Sequence, residues 1–229
     1  SKIGQQPALR EARGGAQGGN GGMVETSGKH LDVAGARINV SAPRGKGGEW
    51  LLDPNNVTIV GGDEPEAEGI AAFATDVVLG AGNSVVFSGT INNALNNGSN
   101  VTITTVAQYA EGSGDIRLQG ACECYYPAAA IAKSDGGAST LTLRADRHIR
   151  MEPGASIINA NSDAPLNVVF NSNANGKSGG EVRVIEAQIL TNGGNVTIGG
   201  GPDPAKGFAQ GVWDRQSPSN VGIAIVDST

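Results

Sequence analysis

Asn100-Val101-Thr102-Ile103-Thr104 alternates apolar and polar side chains over five residues and is entered through an asparagine. A period of two marks a half-buried β-strand, because successive side chains on a strand point to opposite faces. The same wording returns at Asn56-Val57-Thr58-Ile59 and at Asn195-Val196-Thr197-Ile198. Outward from these lie further short runs of the same kind, at residues 23–26, 36–40, 77–79, 85–87, 116–118, 141–143, 148–151, 166–170, 181–185 and 221–226. Gly, Asn or Asp follows most of them, the residues that turn a chain at least steric cost. Helical periodicity is almost absent. The pattern predicts an all-β chain.

Spacing predicts how the strands are arranged. Related runs begin near Leu141, Val168, Val196 and Ile223, at intervals of 27, 28 and 27 residues (168 − 141, 196 − 168, 223 − 196). Upstream, runs near Ile38, Val57, Val77 and Val101 follow at 19, 20 and 24. Recurrence over this range suits a solenoid in which each repeat is one coil. About nine coils at a rise of ~4.8 Å predict a rod on the order of 45 Å long. The step of 40 from Val101 to Leu141 predicts an inserted loop, placed at residues 121–132, and a second is placed at 207–218. An up-and-down barrel or a sandwich is the rival; the scarcity of two-residue hairpin signals weighs against it.

Composition agrees with stacked short strands. Glycine supplies 36 of 229 residues, aromatics 4% and charged residues 17%, so the core must be aliphatic. Disordered chains usually carry more charge, and no Gly-x-y period points to collagen. A net charge of −6 offers no basic face for nucleic acid or anionic lipid. No apolar run approaches the ~18 residues of a membrane-spanning helix. Ser1-Lys2-Ile3-Gly4 leads into polar sequence without a signal peptide, and the chain stops at Val226-Asp227-Ser228-Thr229 without a closing element. Both ends therefore read as cuts through something longer.

The first sixty residues are more specific. Arg13-Gly14-Gly15-Ala16-Gln17-Gly18-Gly19-Asn20-Gly21-Gly22 runs into Met23-Val24-Glu25-Thr26-Ser27-Gly28-Lys29. Glu49-Trp50-Leu51-Leu52-Asp53-Pro54-Asn55-Asn56-Val57-Thr58-Ile59 follows. This block resembles the filamentous-haemagglutinin-like large exoproteins of Gram-negative bacteria, most of all the branch of high-molecular-weight adhesins exported by two-partner secretion. The resemblance is specific over residues 13–59 and weaker along the later coils. It implies a right-handed parallel β-helix (solenoid) over 1–229, with inserted surface loops, exported through a partner outer-membrane transporter and displayed on the cell surface or secreted. It implies adhesion to a host or neighbouring-cell surface glycan or protein, in cell contact or biofilm, with no catalytic residues.

The residues themselves hold few alternatives. Arg144, Asp146, Arg147, His148 and Arg150, with Glu152, Glu181 and Arg183, form the densest charged patch. A groove there would suit a carbohydrate-active lyase or hydrolase, whereas a solvated face of ion pairs is the plainer expectation. His30 and His148 are the only histidines and sit in no metal or triad motif. Asp63, Glu64, Glu66 and Glu68 lack the spacing of a calcium loop. Residues 14–22 lack the Gly-Lys-Ser/Thr ending of a phosphate cradle. No catalytic, metal or cofactor set is expected.

Four Asn-x-Ser/Thr sequons stand at Asn56, Asn97, Asn100 and Asn195, candidates for glycosylation, although turn chemistry explains asparagine there equally well. Cys122 and Cys124, one residue apart, are candidates for a local disulfide or two thiols in a loop. Tyr125, Tyr126 and Trp213 are candidate recognition residues on the two loops; pinning those loops to the coil stack is the alternative. A module that binds a soluble host protein is a further reading, and unpaired strand edges predict self-association.

Overall fold

The computed structural model of the chain describes residues 9–29, 31–63, 83–106, 114–122, 126–177, 179–211 and 221–229. In chain order the strands begin with β1 (Leu9–Glu11), β2 (Met23–Ser27), β3 (Arg37–Asn39), β4 (Glu49–Asp53), β5 (Val57–Val60) and β6 (Ser84–Phe87). A helix, α1 (Ser88–Asn96), leads into β7 (Asn100–Thr104), β8 (Ile116–Leu118), β9 (Ala130–Lys133), β10 (Ser139–Arg144), β11 (Ile149–Met151) and β12 (Ser156–Asn159). β13 (Leu166–Ser172), β14 (Val182–Ile185), β15 (Gln188–Leu190), β16 (Val196–Gly200) and β17 (Ile223–Val226) follow. The fold is mostly sheet, and every pairing between these strands is parallel.

The first sheet runs β16-β13-β10-β7-β4-β2, the second β17-β14-β11-β8-β5-β6, and the third β15-β12-β9, with β1 and β3 as a separate pair. From β7 onward the chain visits the first, second and third sheets in unvarying rotation. Barrels and sandwiches of the rival kind are built on antiparallel neighbours, which these strands do not have. Register keeps apolar residues above one another. Trp50, Val101, Leu141 and Val168 form one fully buried column of the first sheet, and Leu52, Ile103, Leu143 and Phe170 form the next. Ile116, Ile149 and Val182 do the same in the second sheet. Stacking like on like fills a narrow interior at high density.

The expected period needs correction. Leu141, Val168 and Val196 are indeed register partners, but Ile223 pairs with Val182 in the second sheet and not with Val196. The upstream series likewise mixes Ile38 of β3, Val57 of the second sheet and Val101 of the first, while Val77 lies outside the described residues. Strands of different sheets bury alternate apolar residues alike, so their sequences read as one series. Among the described residues the largest sheets have six strands where about nine coils were expected, a stack of about 24 Å at ~4.8 Å per step.

The helix was not expected either. Ser88-Gly89-Thr90-Ile91-Asn92-Asn93-Ala94-Leu95-Asn96 is poor in helix formers. Packing compensates: Ile91, Ala94 and Leu95, at i, i+3 and i+4, are buried in the main core. α1 contacts both β3 and β9 and stands where the third sheet is interrupted. Its asparagines complete the exposed edge of β9. Asn92 donates to the Ala130 carbonyl at 3.2 Å and accepts from the Ala132 N–H at 2.8 Å. Asn96 accepts from the Ser134 and Asp135 N–H groups at 2.8 and 3.2 Å. Gly98, at φ 76°, then turns the chain out of the helix.

Lys133, at the end of β9, is fully buried. Its Nζ donates to the carbonyls of Leu95 and Gly136, each at 3.4 Å, and of Asp135. Burial lowers its pKa below the ordinary 10.5, with the nearby Asp135 charge acting weakly the other way. Below the lowered value both the folded and unfolded states hold the proton, and the folded state bears the desolvation. Between that value and 10.5 the unfolded chain keeps the proton that the folded chain has lost. Unfolding free energy therefore rises with pH in that alkaline window. Lys133→Met abolishes this rise, as read from thermal midpoints measured from neutral pH to 10.5; an unchanged slope would assign the window to another group.

Candidate functional site

The charged patch falls on the outer face of the second sheet. Thr58, Arg117, Arg150, Arg183 and Ala224 occupy one outward column, three arginines on successive strands. Like charges about 4.8 Å apart repel, so each needs a counter-charge from the side. Glu152 receives Arg117 through two hydrogen bonds of 2.5 and 2.8 Å, and also the Gly120 N–H at 3.1 Å. Glu181, fully buried, receives Arg150 Nε at 3.1 Å, with Arg183 Nη1 at 4.0 Å. Arg147 pairs with Asp115, Nε to Oδ1 at 3.2 Å.

The structure thus brings Arg147, Arg150, Glu152, Glu181 and Arg183 together but leaves Arg144 elsewhere. Arg144 is the last residue of β10, an interior strand of the first sheet, and reaches Thr104 Oγ1 at 3.5 Å and the Ala174 carbonyl at 3.3 Å. Asp53 is near it, and burial above all, then Glu25 and Asp146, raises the Asp53 pKa, with Arg144 opposing. Arg117 and Asp115 belong to the patch and escaped the sequence reading. They sit one repeat earlier, and only the register of β8 on β11 reveals them. The cavity beside Arg117 and Arg150 is about 210 Å³ and also meets Asn56, Thr58 and Asp115. Among the described residues, no three His, Cys, Asp or Glu side chains converge as metal ligands would.

His148 is fully buried, not a surface residue. Its Nδ1 accepts the Glu181 N–H at 3.1 Å, and its backbone N–H donates to Asp115 Oδ1 at 3.1 Å. His30 lies outside the described residues.

The sequons divide by how their amides are used. Asn56 Oδ1 accepts from the Gly114 and Asp115 N–H groups at 2.7 and 2.9 Å. Asn100 donates to the Gly47 carbonyl at 3.1 Å and accepts the Thr140 N–H at 2.9 Å. Asn97 and Asn195 are exposed. Asn100→Ala therefore costs about 1–2 kcal/mol in urea unfolding, whereas Asn97→Ala stays within about 0.5 kcal/mol. Equal losses would mean that the inter-repeat bonds of Asn100 contribute nothing.

The aromatic expectation changes at Tyr126, which is only 5% exposed. Its ring meets Phe87 edge-on, centroids 5.4 Å apart and planes at 81°, in a small cluster with Val60. Gln119 Nε2 also donates to its carbonyl at 2.8 Å. Tyr126 pins its segment and offers no contact surface. The segment is moreover not all loop: residues 130–132 belong to β9, which pairs with β12. Their alternation is hidden by the small alanines on either side of buried Ile131. Cys122 is disulfide-bonded; Cys124, Tyr125 and Trp213 lie outside the described residues. In the second expected loop, Ala209 is buried in the main core and Gln210 bridges Gly180.

No helix among the described residues is long and apolar enough to cross a membrane. No protein-family model and no curated protein matches the chain.

Proposed function

We propose that the chain is a segment of a right-handed parallel β-helix belonging to a bacterial surface exoprotein, serving as a rigid stalk and adhesive surface and not as a catalyst. The observation that carries this reading is the fixed rotation through three parallel, in-register sheets. Parallel crossover connections are overwhelmingly right-handed, which supports that hand. The residues that resemble the adhesin exoproteins form β2, β4 and β5 of the stack. Export through a partner outer-membrane transporter and display outside the cell follow from the same resemblance. The arginines of the charged patch are held by carboxylates, as suits a structural face more than a sugar-cleaving groove.

The test is adherence. Beads coated with the segment bind cultured cells or deposited matrix saturably, and soluble segment competes. Failure of both, or release of unsaturated or reducing ends from polysaccharides, would remove the reading and favour the enzyme.

A further inference from the structure

Two cavities meet at Asn97. The larger, about 820 Å³, lies along the entrances to the first-sheet strands, where Asn100, Thr140 and Asn167 follow one another on successive repeats. The loop before β4 walls it with Pro43, Gly45 and Lys46. The smaller, about 290 Å³, lies between β3 and α1 and is lined by Arg37, Asn39 and Asn93 as well as Asn97. No Asp or Glu among the described residues lines either cavity.

Charge sets this place apart from the arginine column. Arg117, Arg147 and Arg150 are each engaged by a carboxylate. Lys46 and Arg37 are exposed, and neither forms an ion pair among the described residues. The buried Lys133 adds a third positive charge behind the floor, bonded to the Gly136 carbonyl beside the lining residue Gly137. It also binds the Leu95 carbonyl and so offsets the negative end of α1 at this point. In a chain of net charge −6, these cations around a hollow with no carboxylate among its described lining residues make a local anion site.

The floor specifies more than charge. Asn97 is exposed with its amide free for a ligand, and Asn167 accepts the Asn195 N–H at 2.9 Å through Oδ1, which leaves its NH₂. Amides and hydroxyls repeating about every 4.8 Å suit the hydroxyls of a sugar chain, while Lys46 and Arg37 suit its carboxylates. We infer that the joined hollow around Asn97 binds an acidic, uronate-bearing oligosaccharide. The inference names a ligand class for the adhesive segment and rests on that reading.

The probe is a galacturonate tetramer, with maltotetraose as its neutral counterpart, titrated into isotopically labelled segment and followed by NMR. Saturable shifts at Asn97, Lys46 and Arg37 are expected with the uronate alone, weakening as salt is added. The double variant Arg37→Ala/Lys46→Ala loses about tenfold in affinity, while Lys46→Arg stays within about twofold. Both substituted side chains are exposed, and an unchanged thermal midpoint verifies the fold. Absence of uronate binding, equal binding of maltotetraose, or an unaffected double variant would each overturn the inference. Adherence that persists without uronate binding removes the groove and leaves the adhesive role; uronate binding without adherence does the reverse.

Discussion

Glu181→Ala lowers the unfolding free energy by about 3 kcal/mol, read from urea titration. The carboxylate is fully buried and serves Arg150 directly and Arg183 at 4.0 Å, two arginines that are register partners on adjacent strands. Their side chains are only 19% and 30% exposed, so water replaces little of what the carboxylate supplied. Fully exposed ion pairs contribute about 0–1 kcal/mol, and burial accounts for the difference. Glu181→Gln keeps the volume and one acceptor oxygen and recovers part of the loss. A loss within about 0.5 kcal/mol for Glu181→Ala would mean that the sheet alone holds the arginine column.

Trp50→Ala costs about 4 kcal/mol by the same measurement. The indole is fully buried, the largest such side chain among the described residues, between Val24 and Val101 in the first-sheet column. Its Nε1 donates to Thr26 Oγ1 at 3.1 Å. Truncation removes the apolar contacts and leaves a hollow that a six-stranded sheet cannot collapse into. Trp50→Phe isolates the smaller part, about 1–2 kcal/mol, from lost volume and the unpaired Thr26 hydroxyl. If Trp50→Ala proved no worse than Trp50→Phe, the column would not be a close-packed core.

The first two sheets were readable because most of their strands alternate with two or more large apolar inward positions, as in β7, β8, β10 and β13. The third sheet was not. Its strands β9, β12 and β15 have three or four residues, each with few large side chains. One inward isoleucine per strand, Ile131, Ile157 and Ile189 in register, is too little to stand out in a linear sequence. The candidate site divided in the same way. Arginines near residue 150 were visible as a cluster with Glu152 and Glu181, but Asp115, the partner of Arg147, and Arg117, the partner of Glu152, join it only across repeats.

The sequence by itself determined that this chain is β-rich, built on short alternating runs with an aliphatic interior and glycine at its bends. Those features are local: each residue's alternation with its neighbours records which face is buried, whatever lies beyond. The tertiary structure alone decided which run stacks on which, because pairing depends on the length of chain between partners, and that length varies from repeat to repeat. It also made a helix of Ser88–Asn96, since burying Ile91, Ala94 and Leu95 and completing the β9 edge outweigh poor intrinsic propensity. It separated the four sequons into working and free amides, because the groups that engage Asn56 and Asn100 lie 58 and 40 residues away in sequence. And it buried the Lys133 ammonium among carbonyls from two segments, an arrangement that no local pattern encodes.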